Sequence, residues 1–297
     1  MATELSKKTM FDPTLVTDLI SKVKGKSSLA VLGNQTPIPF NGQKEFIFTM
    51  DNEVDIVAEN GKKTHGGISI EPVVIVPIKF EYGARISDEF LYASEEEKID
   101  ILKNFNDGFA KKAAKGLDIS AWHGLNPRTR TESAVIGNNC FDKLVTQTVD
   151  YVQATPDKTI EAAIALIEGS EMDVSGMAIS PAVRADLAAM TNSTNDRLYP
   201  EFAFGGKPGT LGSQALEINN TVSFNSSKDK VIVGDFSNMF KWGYAKEIPL
   251  EIIQYGDPDN SGKDLKGYNQ VYIRAEIYLG WGILAPEAFA IVKEPTA

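Results

Sequence analysis

One stretch, SEEEKIDILKNFNDGFAKKAAKGLDISAW (94–122), limits what this chain can fold into more than any other. Ser94 followed three residues later by Glu97 makes a capping box, and Glu95 and Glu96 suit the positive end of a helix dipole. Leu102, Phe105, Phe109, Ala113 and Leu117 recur at three- and four-residue steps and mark one apolar stripe. Lys103, Asn106, Lys111 and Lys112 take the opposite face. The spacing predicts a helix of about six or seven turns, long for a globular protein. Such a helix is a strut, and the remaining chain has to lie along it.

The strut ends in GLDISAWHGLNP (116–127), the one passage that looks like an active site. His123, one of only two histidines, follows Asp118 by five residues. On a helix that spacing puts the two side chains about 140° apart, so they do not face each other. Gly124 is placed to be the left-handed residue after the last turn, with Pro127 just beyond. A histidine in a last turn is also favoured by the helix dipole. Capping and packing therefore account for His123 better than catalysis does.

Before the strut, residues 1–36 read as an N-terminal arm. PTLVTDLISKV (13–23) is a short amphipathic piece, and the Gly-, Ser- and Lys-rich stretch after it buries little, so the arm suits packing on another chain or a frayed end. Residues 37–78 read as an extended β-hairpin loop. QKEFIFTMD (43–51) and NEVDIVAEN (52–60) alternate like half-buried strands, and a turn at Asn60-Gly61 leads into ISIEPVVIVPIKFEYGARIS (68–87). The polar, glycine-rich ENGKKTHGG (59–67) reads as the exposed tip, making Asn60, Gly61, Lys62, Lys63, Thr64 and His65 candidate intersubunit contacts. An isolated long hairpin is marginal in water and needs a partner. After the strut, TPDKTIEAAIALIEGS and the Ser180-Pro181 segment predict two helices. Strands follow through DKVIVGDF to the closing KGYNQVYIRAEIYLGWGILAPEAFAIV.

Composition and motifs remove most chemistries. A net charge of −10 argues against a broad phosphate-binding face. A single cysteine, Cys140, leaves no disulfide framework, and with two separated histidines it leaves no zinc set. No apolar run is long enough to span a bilayer. DPDNSGKDLKGY (257–268) matches the start of a calcium loop but has Tyr268 where a bidentate Glu is required, and it reads as a solvated turn. AFGGKPGT (203–210) lacks the spacing of a phosphate loop. No enzyme motif remains, and no catalytic, cofactor-binding or metal-ligating residue is assigned.

The order of parts, an α+β chain of arm, hairpin, long helix, α/β region and returning strand, resembles the major capsid protein of tailed bacteriophages, with the fold named after phage Hong Kong 97. The likeness is carried by ARISDEFL (84–91), LDISAWHGLNP (117–127), AISPAVRADLAAMTNSTNDRLYP (178–200), VIVGDFSNMFKWGYAKEIPLEI (231–252) and AEIYLGWGILAPEAFAIV (275–292). The resemblance implies a peripheral domain with the spine helix at 79–154, an axial domain at 155–247, peripheral return strands at 248–281 and an axial C-terminal strand at 282–297. It implies self-assembly into pentamers and hexamers of an icosahedral shell around double-stranded DNA, which is contacted weakly. A portal protein would be a further partner. Because the arm begins almost at once, scaffolding is expected from a separate protein or is dispensed with, rather than trimmed from this chain. The location implied is the virion, with assembly in the host bacterial cytoplasm and no membrane. An encapsulin-like nanocompartment shell protein is the alternative, and a soluble α/β enzyme using Asp118 and His123 a more distant one.

Overall fold

The computed structural model describes residues 27–50 and 53–295, so the amphipathic piece at 13–23 lies outside the described residues. In chain order the elements are α1 (Ser28–Leu32), β1 (Asn34–Gln35), β2 (Gln43–Met50), β3 (Ile68–Ile75), β4 (Ile78–Ser87) and α2 (Glu95–His123). There follow α3 (Phe141–Leu144), β5 (Thr148–Asp150), α4 (Pro156–Glu168), β6 (Gly176–Ile179), α5 (Pro181–Ala189), β7 (Thr210–Leu211) and β8 (Gln214–Ile218). The chain closes with β9 (Asp229–Gly234), β10 (Phe240–Ile253), β11 (Gln270–Ile283) and β12 (Phe289–Lys293).

The strut starts and stops where its residues direct. The Ser94 hydroxyl accepts from the Glu97 amide and the Glu97 carboxylate accepts from the Ser94 amide, both at 3.3 Å. At the other end Gly124 turns left-handed (φ 67°) and its N–H donates to the Ser120 carbonyl at 3.0 Å. A Cβ on Gly124 would stand 2.9 Å from Cys140 Sγ. Gly124→Ala thus combines strain with a close contact and is expected to cost about 1–2 kcal/mol, read as a lower urea midpoint at unchanged slope. From Phe109 onward Ala110, Ala113, Ala114, Leu117, Ile119, Ala121 and Trp122 are all buried, whereas Ile99 and Ile101 in the first turns are exposed. Half of α2 is a core helix, and half stands beyond the core.

Two sheets flank its buried half. The four-stranded sheet has the order β1-β10-β11-β4, and the six-stranded sheet β5-β12-β9-β6-β8-β7. Alternation along the central strands of the larger sheet separates two cores. Met177, Ile179, Val231, Val233, Ala290 and Val292 meet Ile160, Ala163 and Ile167 of α4 and Val183 and Leu187 of α5. Ala178, Ile232, Phe289 and Ile291 point the other way, into the core shared with Leu117, Trp122, Phe141, Phe236, Trp242 and Trp281. Trp122 and Phe141 stack edge to face with centroids 4.6 Å apart.

The hairpin differs from its reading in the sequence. β2 pairs with β3, from Gln43↔Ile75 to Met50↔Ile68, across the tip, but the second strand-like run is not a strand. Residues 53–67 form no strand. A strand needs a ladder partner, and pairing within the subunit ends at Met50↔Ile68. The long run 68–87 is likewise divided into β3 and β4 around Pro77, which has no N–H for a ladder.

Candidate assembly surface and the buried join behind it

The hairpin has two unlike faces, set by the period of two along a strand. Gln43, Glu45, Val73 and Ile75 share one face, which roots the ribbon on the four-stranded sheet. Ile75 is buried, and Glu45 pairs with Lys241 of β10 at 3.0 Å. The close approach depends on Gly282 of β11, where a Cβ would come within 2.7 Å of Ile75 Cγ1. The opposite face carries Phe46 (57% exposed), Ile68 (65%), Ile70 (52%) and Val74 (49%), with Pro72 paired to Phe46. An apolar face of this extent on a two-stranded ribbon is a surface awaiting a partner.

Beyond it, residues 53–67 are all exposed. The tip keeps a turn in which the Gly61 N–H donates to the Ala58 carbonyl at 2.8 Å, and the Thr64 hydroxyl donates to Asp55 at 2.9 Å. Asn60, Gly61, Lys62, Lys63, Thr64 and His65 sit together on this tip. Sequence reasoning missed their apolar companions: Val54 is 94% and Ile56 96% exposed. Their alternation had been spent on a strand within the subunit.

At the end of the strut, Asp118 and His123 are both buried and do not pair with each other. Asp118 receives the Ser27 and Thr221 hydroxyls (the latter at 2.9 Å), the amides of Ser28 (3.0 Å) and Leu29 (3.3 Å), and Asn219 Nδ2 (3.2 Å). It thereby fastens α1 and the loop before β9 to the strut. Burial pushes its carboxyl up to about 6, although the hydrogen bonds from Ser27, Ser28, Thr221 and Leu29 work in the other direction.

His123 closes a second node. Its Nδ1 lies 2.9 Å from Asp142 Oδ2 and 3.4 Å from Asp229 Oδ2, and its Nε2 lies 2.9 Å from the Thr221 carbonyl. Both ring nitrogens face acceptors, so only the imidazolium satisfies them all. Burial pulls the ring down, but Asp142, Asp229 and the Thr221 carbonyl outweigh it and raise His123 to about 9. Burial raises the Asp142 carboxyl, and His123 and Ser227 hold Asp229 below its usual range despite its burial. Lys293 Nζ stands 3.7 Å from Asp142 and 3.6 Å from Asp229. His123, Asp142 and Asp229 offer atoms of the kind that ligate metals, within 4.8 Å of one another. The imidazolium and Lys293 already balance the two carboxylates, which makes the set complete as an ion-pair cluster. No local signal announces it, because its members come from α2, α3, β9 and β12.

The calcium-like loop is tied by an internal cation instead. Arg85 of β4 reaches Asp257 at 2.7 Å and Asp259 at 2.5 Å, and the Gly262 amide donates to Asp257 at 2.7 Å. It is a turn between β10 and β11, as its composition suggested.

The sequence profile of the phage capsid family matches residues 9–293. The chain belongs to the phage capsid family. Solved structures agree: a chain from Mycobacterium phage Ogopogo is 30% identical, with a TM-score of 0.78 over 91% of this chain and 92% of that one. A chain from Gordonia phage Cozz is 23% identical, with a TM-score of 0.76 over 92% and 87%. The capsid of an empty GTA particle shares the fold at 13% identity, with a TM-score of 0.64 over 91% and 97%. No curated protein sequence matches. This phage capsid protein is a shell component of the virion, and self-assembly is the property its family implies. None of its described helices is long and apolar enough to cross a membrane. The α+β fold expected from the five ordered segments is the fold found.

Proposed function

We propose that this capsid protein builds an icosahedral shell around the double-stranded DNA of a tailed phage, in rings of five and six subunits. The observation that carries the reading is the hairpin: the apolar face of Phe46, Ile68, Ile70 and Val74 and a fully exposed tip, Asn60 to His65 with Val54 and Ile56, have no cover among the described residues. Side chains of this size gain about 1.5–3 kcal/mol on full burial, so covering those half-exposed groups on a neighbour supports assembly. The six-stranded sheet with α4 and α5 corresponds to the axial domain and the four-stranded sheet with α2 to the peripheral one. In this reading β5 (148–150), a member of the six-stranded sheet, counts with the axial domain, and β10 (240–253), a member of the four-stranded sheet, with the peripheral one.

The partners are other copies, a portal protein, a separate scaffolding protein and weakly held DNA, with assembly in the host cytoplasm. An acidic subunit, net −10, suits a container that should not grip its load. Maturation in this reading is a rigid-body rotation of subunits with movement of hairpin and strut. Deleting residues 59–67 tests the assignment, since nothing in the two cores involves them. The expected product has the wild-type circular dichroism spectrum and thermal midpoint but few closed shells by negative-stain microscopy. Normal shells from the deletion would refute the role given to the hairpin. Shells filled with protein cargo and free of nucleic acid would favour a nanocompartment.

A further inference from the structure

The net charge of −10 conceals a local reversal of sign. From Gly108 to Thr131 the chain carries Lys111, Lys112, Lys115, Arg128 and Arg130 but a single acid, Asp118, and that one is buried among its donors. The loop before β9, from Asn219 to Lys228, has no acid and ends on an exposed lysine. The fold brings these segments together on one aromatic ring. Lys115 Nζ lies 5.4 Å and Arg130 Cζ 5.9 Å from the centroid of Phe224, and Asn225 Nδ2 donates to the Arg130 carbonyl at 3.3 Å.

These cations are held in place by the backbone. Lys111 and Lys112 precede Lys115 by four and three residues, so they adjoin it on the surface of α2. The turn carrying Arg130 is closed by the Asn126 N–H on the Thr131 carbonyl and the Arg130 N–H on the Asn126 carbonyl, both at 2.8 Å. Arg130, Asn225 and Ser226 all adopt left-handed backbone (φ 60°, 53° and 63°), which a side chain tolerates only where its surroundings fix it. The patch is flanked by Asp107 and Glu132, the latter taken by Lys143 at 3.2 Å. Among the described residues, neither Lys115 nor Arg130 is in an ion pair with a carboxylate. Two like charges fixed over one ring, with no acid between them, suit an anion from outside.

The exposed groups beside them are hydroxyls and amides: Thr129, Thr131, Asn225 and Ser226. Nucleic-acid backbones are contacted by Lys and Arg together with Ser, Thr and Asn donors of this kind. A docked protein segment would also need apolar ground, and here Phe224 is capped by its two cations. We infer that Lys111, Lys112, Lys115 and Arg130, gathered around Phe224, hold the phosphate backbone of double-stranded DNA without reading its sequence. This rests on the reading that the shell encloses DNA, and adds the surface that touches it. So few cations neutralise few phosphates, which makes the grip weak and salt-sensitive.

Binding of a labelled DNA duplex to unassembled subunits tests the patch, with shell yield read separately. Lys115→Glu with Arg130→Glu is expected to lower the affinity about tenfold or more at about 50 mM salt, and to flatten its salt dependence. Lys111→Glu with Lys112→Glu, exposed and free of the ring, should do the same with an unchanged thermal midpoint, which covers the case that the first pair perturbs the fold. Lys263→Glu with Lys266→Glu, on the turn between β10 and β11, should leave binding as it is. Equal losses from that control pair would mean that overall charge alone governs binding, and would overturn the inference. So would undiminished binding in both patch variants, or no measurable binding by the wild type. Tighter binding of poly-glutamate than of the duplex at the same salt would make the partner an acidic protein and would overturn it too. Closed shells in normal yield from the patch variants are expected, so a failure here leaves the shell-building role standing.

Discussion

His123→Ala is expected to destabilise the subunit by about 3–5 kcal/mol, the usual cost of removing one partner from a buried ion pair. The imidazolium holds Asp142 and Asp229 together at the end of the strut, and among the described residues only Lys293 remains to neutralise them once it is gone. Against a total stability of about 5–15 kcal/mol for a domain, that loss should appear as a fall in soluble yield. The wild-type pH profile reads the same node without risking the fold. His123 sits at about 9 in the folded subunit against an ordinary 6.5. A raised folded value means that the contribution is complete below about pH 6.5. It is then lost as pH climbs through about 9. The full effect is on the order of 3 kcal/mol, undiminished by solvent because the side chain is 3% exposed. The unfolding midpoint of unassembled wild-type subunits should therefore drop steeply between pH 7 and 10, and that of His123→Gln should stay nearly level. Parallel profiles would show that the ring is not an imidazolium in the native state.

Asp118→Ala should be about as damaging, by about 3–5 kcal/mol, because it strands several buried donors at once. The amides of Ser28 and Leu29, Asn219 Nδ2 and the hydroxyls of Ser27 and Thr221 would lose their acceptor. The segment from Ser27 to Gly33 should then come away from the strut, seen as faster hydrogen exchange confined to α1. Asp118→Asn keeps the shape and one acceptor and should lose less. Its pH behaviour supplies a second check. Burial raises the Asp118 carboxyl to about 6 from 3.8, so its contribution is complete below about pH 3.8 and lost as pH rises through 6. Between pH 4 and 7 the stability gap between wild type and Asp118→Asn should narrow as pH rises. A gap that widens with pH would mean that Asp118 is stabilised as a carboxylate, contrary to the dominance of burial.

The two nodes show where reading the sequence stops. The helix, its capping box, its glycine stop and the separation of Asp118 from His123 all follow from neighbours within about five residues. What the two side chains do instead depends on Ser27, Asp142, Thr221 and Asp229, up to 106 positions away from His123. His123 looked like a bystander at a helix end and is instead a buried charge between two carboxylates. The hairpin shows the same limit in another form. Alternation in 43–51 and 52–60 gave two strand-like runs, but alternation does not name a partner. The first run took 68–75, and the described residues of the second, 53–60, took none.

By itself, then, the sequence determined the strut from Ser94 to Gly124, the existence of a hairpin with a polar tip, and the ordered segments that resemble a phage shell subunit. Those are properties of period, cap and turn, which act over a few residues. Tertiary structure alone decided that β10 and β11 share a sheet with β4, that β12 lies between β5 and β9, and that His123 bridges α3 and β9. It also decided which hairpin face is rooted by Ile75 over Gly282 and which stays open. Those are choices among distant partners, made by packing volume and by charge balance in a dry interior, where no local spacing records the outcome.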